Sequence, residues 1–457
     1  MTAPAAGEPG ASGREAPRER WPHVVVVGGG FAGVAAVRAL AKAQVRVTLV
    51  DRRVYNTFQP LLYQVATGGL NPGDVMYFLR SLRVRQRNLR VVHEQLVSID
   101  TDAKTIQLLD DAVISYDYLV LANGVTTSYF GTPGAKEHAF AMYSRSQALA
   151  IRDALFVRLE RAAVGADTDG LHLVVVGGGA TGVEVAGALA ELRDQGLRPA
   201  YPEIAGDAFR VTVVQRGDEV LKAFPASLRR YAKDQLTARD VELRLGAGVA
   251  AVLPDAVELT DGTRISSDLT IWAAGVAPHE EVSRWNLPLD EHGRVRTGPD
   301  MRVVGLDAVF AAGDIASTPF DLPQLAQPAI QGGRHAGRQI LNLMAGRPTT
   351  PLRYLDKGTL AVIGRRSAVG DIAGKLRLRG LPAWWVWLFV HVAGLLGSRN
   401  RFTTIAGLLS RYSVGFHRSP VPIVGEVPSV RPSRTQPAQD PAPAAAAPDQ
   451  SSSRSSQ

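Results

Sequence analysis

Cysteine is absent from the chain, which excludes disulfides, zinc–cysteine sites, iron–sulfur clusters and any redox mechanism built on a cysteine pair. Metal-binding histidine pairs are missing too. His93-Glu94 and His279-Glu280 lack the second histidine that a zinc-protease helix needs, so no metal site is expected. No recognisable nucleic-acid module occurs, and the formal charge of +8 is spread over the chain without a lysine- and arginine-dense arm. Nucleic acid is therefore not an expected partner. The first 20 residues lack the apolar core of a signal peptide and carry acids that a transit peptide avoids. Residues 1–20 and the Pro/Ala/Ser-rich stretch 418–457 are expected to be disordered tails around a folded unit that starts near Trp21.

Glycine, by contrast, is plentiful and patterned. The apolar run Val24–Val27 reads as a parallel strand covered on both faces. Gly28, Gly30 and Gly33 follow as G-x-G-x-x-G, with Phe31 and Ala32 opening a helix whose N-terminal amides favour phosphate. A second strand, Val45–Val50, ends at Asp51-Arg52, close to the distance of about 20 residues at which an acid reaches ribose hydroxyls. The same plan returns at Leu173–Val176, with Gly177, Gly179 and Gly182, Thr181 on the loop, and a helix running to about Arg193. Two such units imply an α/β protein with two Rossmann-like dinucleotide-binding domains, one for FAD and one for a nicotinamide dinucleotide.

Beyond the loops, the chain resembles the two-dinucleotide-binding-domain flavoproteins, and within them the type II NADH dehydrogenases, which pass electrons from NADH to quinone without pumping protons. The resemblance rests on FQPLLYQVATGGL at 58–70, YDYLVLANGVTTSYFGTPGA, IWAAGV, VFAAGDIA, LAQPAIQGGRHAG and DKGTLAVIGRRSAV. It implies that Asn123 and Gly124 (in LANG, where the family usually has Ala-Thr-Gly), Gly313, Asp314 and Gln327 meet FAD, while Ala274 and Gly275 meet NAD(P)H. It further implies that Gln327, Gln331 and Lys357 approach the quinone, and that Glu184 helps relay protons. Gln327 and Gln331 are four apart and so share one helix face. Glu184 falls in the first turn of the second glycine helix, where the dipole alone favours a carboxylate. The expected division is 21–146 and 283–350 for the FAD domain, 147–282 for the NAD(P)H domain and 351–417 for a C-terminal quinone and membrane region.

That last region contains the most apolar stretch. Leu381–Gly397 carries Trp384, Trp385 and Trp387 between basic flanks but falls short of the roughly 20 apolar residues of a spanning helix. Helices lying in the headgroup layer are expected, which makes the protein peripheral on the cytoplasmic side of the cell membrane, with a homodimer compatible. Two rival readings remain: a reductase for ferredoxin or rubredoxin, and a flavoprotein interaction module.

The second unit departs from the pattern at one place. Its second strand, Phe209–Val214, ends in Gln215-Arg216 instead of an acid. A carboxylate there repels a 2′-phosphate; Gln215 removes the repulsion and Arg216 offers attraction, so use of both NADH and NADPH is expected.

Overall fold

A computed structural model describes residues 21–165, 170–205 and 207–412. Two five-stranded parallel sheets dominate it. The first runs in the order Val309–Ala311, Tyr118–Leu121, His23–Val27, Arg46–Asp51, Leu89–His93. The second runs Ala139–Ala141, Leu269–Trp272, Leu171–Val176, Phe209–Gln215, Val241–Leu245. In both, the glycine-bearing strand is central, with Val24 opposite Val47 on one side and Tyr118 on the other. Burial on both faces explains the unbroken apolar runs: Val24, Val25, Val26, Val174 and Val175 are wholly inaccessible. Each unit also carries a three-stranded antiparallel sheet, at 96–115 in the first and 249–266 in the second.

The second unit is inserted in the first. The chain leaves and returns on a two-stranded antiparallel ribbon in which Thr126 faces Ala277 and Thr127 faces Val276. Strand Ala139–Ala141 already belongs to the second sheet, ahead of the expected start of that unit at 147, because it pairs with Leu269–Trp272. A capping box then starts the long helix Arg145–Ala163: Ser144 accepts from the Gln147 amide, and the Gln147 side chain accepts from the Ser144 amide.

Two covers complete the layers. Helix Ala326–Met344 lies across the first glycine helix, Phe31–Ala39, through Gly333, where a Cβ would sit 2.0 Å from the Ala32 carbonyl oxygen. The second glycine helix, Ala180–Glu191, is covered instead by the C-terminal strand Thr359–Gly364. Gly187 makes that approach, its absent Cβ falling 2.1 Å from the Ile363 carbonyl oxygen. The hairpin strands Ser367–Ile372 and Leu376–Arg379 follow, and then helices Leu381–Gly394 and Ser398–Tyr412. No helix among the described residues is long and apolar enough to cross a membrane.

Candidate active site

The two phosphate loops are near copies in geometry. The Gly28 amide donates to Val50 O at 2.8 Å, and the Gly177 amide to Val214 O at 2.8 Å. Gly28 sits at φ +103° and Gly177 at φ +114°, left-handed backbone that favours glycine. At Gly30 and Gly179 an added Cβ meets nothing within 4 Å, so space is left at the helix N-termini where a pyrophosphate would lie.

The strand ends differ in charge while keeping one shape. Asp51 accepts from the Gly29 amide at 2.5 Å and from the Arg53 amide at 2.6 Å, and burial pushes its carboxyl up. Gln215 copies the first of these bonds with a neutral oxygen: its Oε1 accepts from the Gly178 amide at 2.8 Å. Arg216 points outward beside Gly248 and does not line the cavity between the units. Arg52 does line it, where its guanidinium meets His279 Nε2 at 3.1 Å; burial, followed by this cation, pushes His279 down to about 4.

A single cavity of about 870 Å³ runs past both loops. It brings together Gly28, Gly30, Phe31, Ala32, Asn123, Gly124, Gly313, Asp314 and Gln327 from the first unit with Gly179, Thr181, Glu184, Gln215 and Gly275 from the second. Gly33, Gly177, Gly182 and Ala274 stand behind it and shape the turns. Two observations fit a large polar cofactor here. Asn123 Oδ1 is buried without a hydrogen-bond partner, and burial pushes the Asp314 carboxyl up to about 6. Both are groups that a ligand's donors would satisfy.

Two expected quinone contacts lie elsewhere. Gln331 is bound to the backbone of Leu355, donating to its carbonyl at 2.9 Å and accepting from its amide at 3.0 Å. Its amide is thereby spent on holding the segment that follows the long helix, whose Tyr354 and Asp356 line the cavity. Lys357 is exposed and outside the lining.

Sequence reading missed what surrounds Glu184. Burial raises its carboxyl to about 8, against a hydrogen bond from the Val362 amide at 3.4 Å, with the Trp387 indole beside it. His391, one helical turn beyond Trp387, also lines the cavity. Its Nδ1 lies 2.7 Å from Trp387 O, and its ring stacks on the Trp387 indole at 4.5 Å. A carbonyl only accepts, so Nδ1 carries the hydrogen and Nε2 is left as a bare acceptor. Burial keeps this imidazole neutral by pushing it down to about 4. A histidine inside an apolar, tryptophan-rich run was the available signal, and helical spacing from Trp387 would have found it.

Residues 22–333 match the pyridine nucleotide-disulphide oxidoreductase family, and 357–415 match the NDH2 C-terminal domain. The type II NADH:quinone oxidoreductase NdhA of Mycobacterium tuberculosis is 37% identical over 419 residues, covering 87% of each chain. The chain belongs to the type II NADH:quinone oxidoreductases. An internal alternative NAD(P)H-ubiquinone oxidoreductase of Arabidopsis thaliana mitochondria is 31% identical, with 86% of this chain and 84% of that one covered. The fold agrees with that of Plasmodium falciparum NDH2 solved with NADH, at TM-score 0.81 and 19% identity over 89% of this chain and 100% of that one. In this type II family member, the strand that covers Glu184 and the helix that presents Trp387 and His391 both fall within the matched C-terminal domain.

Proposed function

We propose that the enzyme oxidises NADH, and also NADPH, at the second glycine unit and reduces a membrane quinone without proton pumping, using FAD seated along the first unit. The observation that carries this reading is the shared cavity, which both phosphate loops, Glu184 and the C-terminal helix enter together. FAD supplies the hydride-accepting and two-electron chemistry when bound. The chain's own residues do the rest. Asp51 accepts ribose hydroxyls, the open helix ends at Gly30 and Gly179 receive the two pyrophosphates, and Asp314 meets the ribityl side. Gln327 offers a neutral amide that bonds carbonyls in either redox state. Glu184, neutral below about pH 8, holds a proton where a quinone oxygen needs one. His391 Nε2 accepts the hydrogen bond of the hydroxyl that results.

The C-terminal helices give the quinone its route from the bilayer. Leu381, Trp385 and Phe389 on one helix and Phe402, Ile405 and Leu409 on the next are exposed, while Ala383, Trp384 and Trp387 turn inward. This division suits helices lying in the headgroup layer on the cytoplasmic face, where NADH is available. The test is anaerobic mixing. NADH should bleach the flavin absorbance, and a soluble quinone should restore it; a flavin that stays bleached would remove the quinone from the proposal.

A further inference from the structure

Between Asp74 and Glu94 the chain carries five arginines (Arg80, Arg83, Arg85, Arg87 and Arg90) and no acid. From Ile372 to Tyr412 it again carries no acid. Folding sets these two stretches side by side. Gly397 brings its bare Cα against the Tyr77 ring, an ideal Cβ falling 2.9 Å from it. Asn400 Nδ2 donates to Met76 O at 2.5 Å, and the Thr404 hydroxyl donates to Asp74 O at 3.4 Å. The helix Ser398–Tyr412 is thus seated along the start of the arginine-rich stretch.

Arg38, at the outer end of the first glycine helix, is within electrostatic reach of Arg85, Arg401 and the Tyr77 phenol. Burial, then the like charges of Arg401 and Arg85, loosen the proton of Arg38, and only the Tyr77 ring works in the other direction. Arg401 is spent on the backbone, donating to the Leu395 and Ala393 carbonyls. None of these arginines forms an ion pair with a carboxylate among the described residues. Cations left this close together without a counter-charge repel one another, and an external anion relieves that repulsion. Large apolar side chains stand among them: Phe78 is 51% exposed, Val84 84% and Phe402 73%. Apolar tips beside unpaired arginines, continuous with the apolar face of the C-terminal helices, fit the boundary between acyl chains and headgroups.

We infer that residues 77–90 and Arg38, together with Arg401, form a docking platform for an anionic phospholipid bilayer, so that the first dinucleotide unit itself grips the membrane beside the C-terminal helices. This rests on the membrane contact proposed above and adds a charge-specific arm to it. The arm orients the cavity as well as holding the protein, because it and the C-terminal helices press on the membrane from different parts of the chain.

The test uses full-length flavin-loaded enzyme and vesicles of phosphatidylcholine alone or with phosphatidylglycerol, read by co-flotation. The wild type should bind the anionic vesicles more tightly, and salt should weaken that preference. Arg83→Gln with Arg85→Gln should reduce binding to anionic vesicles by about fivefold per arginine, with flavin content and turnover of a soluble quinone unchanged. Arg83→Lys with Arg85→Lys should keep the preference, which separates charge from a packing defect. Retention of the full preference in the glutamine pair would overturn the platform, as would equal wild-type binding to both vesicle types. Wild-type enzyme that floats with neither would overturn the membrane reading itself.

Discussion

The two glycine helices of this molecule start alike and are then put to different uses. Gly28, Gly30 and Gly33 superpose in role on Gly177, Gly179 and Gly182, down to the amide that each first glycine donates to the neighbouring strand. Seven residues past the first glycine they diverge: the first helix has Ala35 and the second has Glu184. Ala35 packs into a closed layer, whereas Glu184 faces Val362 and Trp387 beneath the C-terminal segment. The strand ends differ as well, Asp51 being a carboxylate and Gln215 an amide on the same backbone hydrogen bond. A repeated backbone plan thus offers the same phosphate-binding geometry twice, and in the function proposed above single side chains set which dinucleotide each loop takes and whether a proton is at hand.

The largest test of that equivalence is steric. A Cβ on Gly28 would fall 2.2 Å from the Ala122 carbonyl oxygen, and one on Gly177 2.9 Å from that of Ala273. Gly28→Ala should therefore cost on the order of 4 kcal/mol or prevent folding, and Gly177→Ala about 2 kcal/mol. Denaturant melts with flavin fluorescence as a second probe would measure both. Equal costs would mean that the loops are even closer copies than their contacts indicate.

Glu184→Gln attacks the divergence directly. Reduction of the flavin by NADH should be preserved, while its reoxidation by quinone should slow by about a hundredfold, as stopped-flow absorbance would record. Wild-type quinone reduction should fall as pH rises through about 8, where the carboxyl ionises, and the variant should lack that fall. Stability carries the same signature. An acid whose pKa rises on folding favours the native state in its protonated form, so its contribution is present below about 4.5 and is lost as pH climbs to about 8. The Gln variant should be the more stable of the two above that range.

Smaller effects are expected at the strand ends. Gln215→Glu should lower kcat/KM for NADPH by about tenfold or more while changing that for NADH little, since a carboxylate repels only the 2′-phosphate. Equal losses would place the phosphate away from this residue. The smallest change is Gln331→Ala, which removes two hydrogen bonds to Leu355 and should cost about 1–2 kcal/mol and raise KM for quinone without touching hydride transfer.

Much of this arrangement is legible in sequence because its causes are local. A β-branched run, three glycines, a helix and an acid at the next strand end all lie within one short segment, so both loops and Asp51 can be read before any fold is known. Glu184 could be placed but its acidity could not, since the groups that surround it come from Val362 and Trp387, far along the chain. Gln331 misled because four-residue spacing gives a shared helix face but not the backbone of Leu355 waiting beside it. The run of arginines from Arg80 to Arg90 is legible in sequence but is lost in a charge counted over the whole chain, whereas Arg38 and Arg401 join Arg85 only through folding.

The ribbon joining Thr126–Thr127 to Val276–Ala277 has a practical meaning for protein engineering. A segment whose ends leave and return on adjacent hydrogen-bonded strands can be exchanged for a relative's segment without altering the span that its host must bridge. The joints to be matched elsewhere include those with the C-terminal segment: Gly187 against the Ile363 backbone, Glu184 and Glu191 accepting from the Val362 and Arg365 amides, and Tyr231 and Gln235 bonded to the Ser367 hydroxyl. A graft from 128 to 275 that keeps Gly187 and these polar partners should carry nucleotide preference from one enzyme to another as a cassette.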